Sequence, residues 1–176
     1  MRAKRALFLL FFTVFLTFSD THSSVNDEAI LSEDFPIKLS TYGFFDNLAQ
    51  QQPKLGVLPY NLITVLFSDY ADKDRFVYVP SAKQAHYVED SVFDFPVGTA
   101  LIKTFSYSKR INDSDVLKEL IETRLLLRKI ERWETLTYVW NEEQTEAYLK
   151  VGGKTVHTIF TDSTGKNRTV RYRVPN

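Results

Sequence analysis

The side chains able to do chemistry are scattered along this chain, and their spacing says more than their number. Three histidines, His22, His86 and His157, lie far apart, and none sits in the i, i+4 ligand pattern that zinc proteases use. Asp69, Asp72 and Asp74 could offer oxygens to Ca²⁺. They lack the glycine at the sharp bend and the bidentate glutamate of an EF-hand loop, so they read as a solvated turn. Glu142 and Glu143, with Asp69 and Glu122, could supply the acid and base of a glycosidase only if two of them met at roughly 5–10 Å. Adjacent glutamates diverge on a strand or a helix alike, which argues against it. No Gly-x-Ser-x-Gly elbow, phosphate-cradling glycine loop or Cys/His arrangement occurs, and the chain has no cysteine. The reading is a non-catalytic protein with no metal site.

What remains is a set of polar groups embedded among aromatics: Tyr60 and Asn61, Ser68-Asp69-Tyr70, Glu122 and Arg124, and Trp140-Asn141-Glu142-Glu143-Gln144. One role for them is structural, with Glu122 or Asp69 paired to Arg124 or Arg75 and the amides capping strand ends. The other is a docking surface or ligand pocket, with Tyr138 and Trp140 as flat aromatic anchors. The binding residues so expected are Asp69, Tyr70, Glu122, Arg124, Trp140, Asn141, Glu143 and Gln144.

The elements that must position these groups are mostly strands. Arg75 to Val79 lies between a charged turn at Ala71 to Asp74 and Pro80, and Ala100 to Tyr107 is rich in β-branched and aromatic residues. Asp94 to Gly98 reads as the turn between them. Thr155 to Phe160 and Arg168 to Val174 flank a polar loop at Thr161 to Lys166, a hairpin whose second strand alternates Arg168, Val170, Tyr172 and Val174 with Thr169, Arg171 and Arg173. Asp115 to Trp133 fits two periods. Its apolar residues suit an amphipathic helix capped at Asp113 or Ser114, yet Ile121, Thr123, Leu125 and Leu127 also alternate with Glu122, Arg124, Leu126 and Arg128. The alternation continues through Trp133 to Trp140, across a short connection at Lys129 to Arg132, and favours a β-hairpin. The expected fold class is mainly β, an antiparallel β-sandwich with short helical segments near Phe44 to Gln51 and Glu142 to Ala147.

A chain of 176 residues, 44% hydrophobic and 25% charged, is ordinary for one domain with its own core. Arg2, Lys4 and Arg5 precede the apolar run Ala6 to Phe18, the layout of a secretory signal peptide and too short to span a bilayer. Cleavage is expected near Ser19, with residues 1–19 as signal, 20–34 as a polar flexible leader and 35–176 as a single β-rich domain. The only membrane contact expected is through an uncleaved signal segment, and the location is periplasmic or secreted. Past Ser19 the chain carries 19 basic against 22 acidic residues, which argues against nucleic acid as a partner.

Four stretches carry a resemblance: Gly56 to Val77 (GVLPYNLITVLFSDYADKDRFV), Phe95 to Phe105 (FPVGTALIKTF), Ile121 to Arg128 (IETRLLLR) and Leu136 to Ala147 (LTYVWNEEQTEA). Over roughly Ile37 to Asn176 the chain resembles the N-terminal, haem-free region of secreted bacterial diheme c-type cytochromes, mostly of undetermined function. Arg132-Trp133 stands where that family usually has a Gly-Trp turn, which also favours the hairpin. In the family a Val-Pro-Asn like Val174-Pro175-Asn176 runs on into a Cys-x-x-Cys-His haem attachment, and this chain has no thiol to take a haem. The resemblance implies no cofactor in this chain and haem c only on a missing or partner domain, so the expected partner is a c-type haem domain or another exported redox protein. The alternative is a free-standing binding module for a cell-surface polymer or small ligand.

Overall fold

A computed structural model describes residues 24–64 and 66–175; the expected signal segment lies outside them. The fold is mainly β and antiparallel. Its elements are a short helix α1 (Asp27–Leu31), a 3₁₀ turn (Leu39–Tyr42), and strands β1 (Phe45–Asn47), β2 (Gln52–Pro53), β3 (Val57–Pro59), β4 (Asp72–Tyr78), β5 (Ala100–Arg110), β6 (Val116–Arg128), β7 (Trp133–Trp140), β8 (Ala147–Leu149), β9 (Lys154–Thr161) and β10 (Asn167–Val174). Strands β3 to β8 form one six-stranded meander in sequence order, and β1–β2 and β9–β10 are separate two-stranded sheets. The ambiguous segment is the β6–β7 hairpin, closed by Lys129 N–H to Arg132 O at 2.8 Å. Helix propensity there loses to the cross-strand partners available on both sides.

Alternation along the strands gives the sheet two faces. On one, Phe76, Ala100, Ile102, Leu125, Leu127, Leu136, Tyr138 and Trp140 bury against Ile30, Leu39, Tyr42, Phe44 and Phe45. Each such side chain contributes about 1.5–3 kcal/mol on leaving water. Tyr42 and Tyr138 meet edge to face at 6.0 Å, their hydroxyls 3.1 Å apart, and Tyr138 also donates to Pro36 O. On the other face the β9–β10 hairpin covers one end only. There Phe160, Tyr172 and Val174 pack on Phe105, Tyr107, Ile121 and Val139. The second layer of the expected sandwich is therefore partial.

Several expectations need correcting. The leader proposed for residues 20–34 is, from residue 24 on, part of the core: Asn26 caps α1 by accepting from Ala29 N–H, Val25, Ala29 and Ile30 are buried, and the Lys129 ammonium donates to Ile30 O and Ser32 O. A polar composition concealed a short helix with one buried side, whose last carbonyls a lysine satisfies. Burial pushes the Lys129 ammonium below the usual lysine range. Helical turns expected at Phe44 to Gln51 and Glu142 to Ala147 are instead β1–β2 with its turn and the approach to β8. Asp72 and Asp74 lie inside β4, so they do not form the expected turn. Ile121 does not share a face with Thr123: a bulge places Phe105 opposite Glu122 and Ser106 opposite Leu120, which turns both Ile121 and Glu122 towards the hairpin.

Candidate functional site

The expected binding residues fall into four groups that do not converge. Trp140 is buried on the helix-covered face, where its indole N–H donates to Thr123 Oγ1 at 3.1 Å. Thr123 in turn meets Thr104, whose hydroxyl donates to Gln51 Oε1. Asn141 and Gln144 organise the β7–β8 turn: Asn141 Oδ1 accepts from the backbone of Thr145 and Glu146, and the Gln144 amide bonds both N–H and O of Leu120 beside the bulge. Glu143 is exposed on that turn. Asp69 and Tyr70 occupy successive left-handed positions at φ 46° and 64°, a strained pair. Tyr107 donates to Asp69 O at 2.8 Å and the Tyr70 ring stacks on Phe160, which holds them there.

Glu122 and Arg124 do meet, and on the face opposite Trp140. The Glu122 side chain is fully buried under the hairpin; its Oε1 accepts from Arg124 Nη2 and from Tyr172 O–H, each at 2.5 Å. Burial, then the bond to Glu122, raises the Tyr172 hydroxyl above the usual tyrosine range. Arg124 is about one-third exposed and its guanidinium lies 4.5 Å from the centre of the Phe105 ring. Sequence reasoning identified this pair; Tyr172, fifty residues away, it missed.

An uncovered stretch of the same face lies beyond this pair, where the hairpin stops. Cross-strand register sets three rows on that face. Lys73, Phe105, Glu122 and Val139 form the row under the hairpin edge; Arg75, Lys103, Arg124 and Thr137 form the next; Val77, Leu101, Leu126 and Thr135 the one after. Directly opposed side chains sit about 4.5–5.5 Å apart at Cβ, so the middle row sets three like charges side by side, an arrangement that destabilises a sheet by itself. The Lys103 ammonium is pushed down by burial and then by Arg75, Arg124 and Lys73, with Glu122 the one carboxyl acting the other way. Arg75 is buried, donates through Nη1 to Lys73 O, and leaves Nη2 without a hydrogen-bond partner.

Next to the cations an apolar groove of about 640 Å³ runs between Val77, Val79 and Leu101 of the sheet and Tyr60, Leu62, Tyr87, Val92, Phe93 and Phe95 of the flanking loops. A smaller hollow of about 220 Å³ shares Tyr60 and Leu101 with it and reaches Lys103, Arg124 and Leu126. The loop after β4 is pinned by the His86–Asp94 backbone pair and by Gly98, at φ 94°, where any Cβ would meet Pro80 Cγ at 2.8 Å. Phe93, Phe95 and Trp133 continue the apolar wall as a chain of edge-to-face rings. Of its lining, Leu62, Tyr87, Val92 and Phe93 remain exposed, apolar surface of the kind that marks interaction sites. Two other hollows, one bordered by Asp69 and Tyr70 and one by Trp140, Asn141 and Gln144, are lined by polar groups already bonded to one another.

Among the described residues no three His, Asp or Glu side chains gather to hold a metal ion, and no helix is long and apolar enough to cross a membrane. Comparisons with protein-family models, curated proteins and solved structures returned no match.

Proposed function

We propose that this chain is an exported, non-catalytic binding domain that receives its ligand on the uncovered half of the six-stranded sheet. The observation that carries this reading is the groove bordered by Leu101, Val77 and Phe93 on a face whose other half is sealed by a hairpin. Concave, mostly apolar hollows with a few placed polar groups are the usual form of small-ligand sites, and the volume lies in the range such sites have. The carboxyls raised as catalytic candidates support it too, since Glu122 is held by Arg124 and Tyr172 while Glu142 and Glu143 stand on an exposed turn. Uptake of the neutral dye N-phenyl-1-naphthylamine tests the reading: saturable one-to-one binding is expected, weakened at least tenfold by Leu101→Asp. Binding that never saturates, or that ignores this substitution, overturns it.

The exposed side chains of Leu62, Ile63, Leu66, Phe67 and Tyr70 favour a second reading within the same class. Joined with the resemblance to haem-bearing cytochromes, they make the chain the accessory half of an exported redox protein, docked through Phe67 and Tyr70 to a c-type haem domain that carries all the haem. Sedimentation followed at the haem absorption band, with a purified c-type haem domain of the resembled family added, is expected to show a complex that Phe67→Asp removes. A haem domain that sediments at its own rate at every concentration refutes it.

A further inference from the structure

We infer that the ligand of this groove is a single-chain amphiphilic anion, its head against Lys103 and Arg124 and its chain along Val77, Leu101 and Leu126 towards Phe95. The inference rests on the binding-domain reading and names the chemistry of the ligand. Three features of the structure support it, and they are independent of one another.

The first is charge. Lys73, Arg75, Lys103 and Arg124 share one small area of a sheet face, four cations against one carboxyl, Glu122, whose Oε1 is bonded to Arg124 and Tyr172 and whose Oε2 has no hydrogen-bond partner. Lys118 and Asp74 pair elsewhere. Among the described residues the close partner of Lys103 is the Phe105 ring, at 4.7 Å, a weak contact that leaves its ammonium donors free. An excess of positive charge in a trough with apolar walls focuses a field that draws anions.

The second is burial. Arg75, beside Lys103 in the same row, has a relative exposure of 7% and an unpartnered Nη2. A buried charged donor left unmatched is costly, and an anion bound next to it offsets part of that cost. Lys103 and Arg124 border the hollow and present the donors, and Arg75 adds its charge from the neighbouring strand.

The third is shape. The apolar trough begins at the cation row, because Leu101 and Leu126 are one register step from Lys103 and Arg124 on the same face. The combined hollows have one polar end and one apolar length, which suits one alkyl chain with one charged head. A free inorganic anion would leave Val77, Leu101 and Phe93 uncovered.

Displacement of N-phenyl-1-naphthylamine from the full chain, below micelle-forming concentrations, provides the test. Dodecanoate is expected to displace the dye at least tenfold more tightly than dodecanol, with dodecyltrimethylammonium weaker than both, and the advantage of dodecanoate should shrink in high salt. Lys103→Met, which keeps the alkyl stem, should bring dodecanoate to the affinity of dodecanol, with a urea midpoint no lower than that of the wild type reporting that the variant is folded; a variant that keeps the full advantage of dodecanoate overturns the inference. Equal displacement by dodecanoate and dodecanol in the wild-type chain overturns the inference and leaves the binding-domain reading standing. Failure of the dye itself to bind, with no uptake of either amphiphile, sinks both.

Discussion

The two ends of one sheet face differ in how they deal with the same problem. Strands β5 and β6 run through both. Under the β9–β10 hairpin the face is aromatic and its carboxyl is held by the protein itself: Phe105, Tyr107, Phe160 and Tyr172 pack together, and Glu122 Oε1 accepts from Arg124 and Tyr172 while its Oε2 is buried without a hydrogen-bond partner. One register step further on, the hairpin is absent, three cations stand abreast and the apolar row beside them is only half-buried. A covered end must find its partners within the protein, because its desolvation is permanent. An open end can also take them from solvent or a ligand.

The contrast is broken most directly by removing its lid. Tyr172→Ala should cost about 4 kcal/mol, as large aromatic truncations in cores do, and it also removes a donor from Glu122. A urea midpoint within error of the wild type would mean that the hairpin is not integral to the core. The next largest effect compares cross-strand neighbours. Arg124→Ala strands a buried carboxyl and should cost about 3 kcal/mol, whereas Lys103→Met relieves like-charge crowding and should stabilise by up to about 1 kcal/mol. Equal losses from both would erase the distinction between a cation that serves the buried carboxyl and one that does not.

A smaller effect appears at high pH. Burial, with Asp69 adding to it, raises the Tyr107 hydroxyl to about 12. Above the ordinary tyrosine value the unfolded chain releases a proton that the folded chain keeps, so this contribution is complete below pH 10 and is lost as pH rises through about 12. Burial also raises Tyr42, Tyr78, Tyr138 and Tyr172. Stability measured by urea unfolding should therefore fall steadily above pH 10, and Tyr107→Phe, weaker by about 1 kcal/mol at neutral pH through its lost bond to Asp69 O, should converge on the wild type as pH climbs. Parallel curves would place Tyr107 outside the core. The smallest change belongs to the rim: Phe93→Ser should move stability by no more than about 0.5 kcal/mol while weakening dye uptake.

Sequence alone determined the long strands and most of their faces, because alternation is local. It did not determine the two- and three-residue strands β1, β2, β3 and β8, which are too short to show a period. Ala100 to Tyr107, Trp133 to Trp140 and Arg168 to Val174 each carry a period of two that needs no partner to be read, and the hairpin at residues 116–140 followed from the length of that alternation. The N-terminal helix was also legible in retrospect: Asn26 ahead of Asp27 and Glu28 is a capping signature, outweighed by the polarity around it. Placement of the candidate site was not legible in this way. Arg124 and Trp140 belong to the two motifs singled out for binding, yet they face opposite sides of the sheet. Ile121 changed face because a single-residue bulge, invisible in β6 itself, depends on what β5 places opposite. The alignment of Arg75, Lys103 and Arg124 into one row required the registers of three strands drawn from separate stretches of chain, and the match of Glu122 to Tyr172 required a hairpin folded back across them. Local alternation fixes which way a side chain points; which side chains then stand beside it is fixed only by non-local pairing, and the tertiary structure alone decided it.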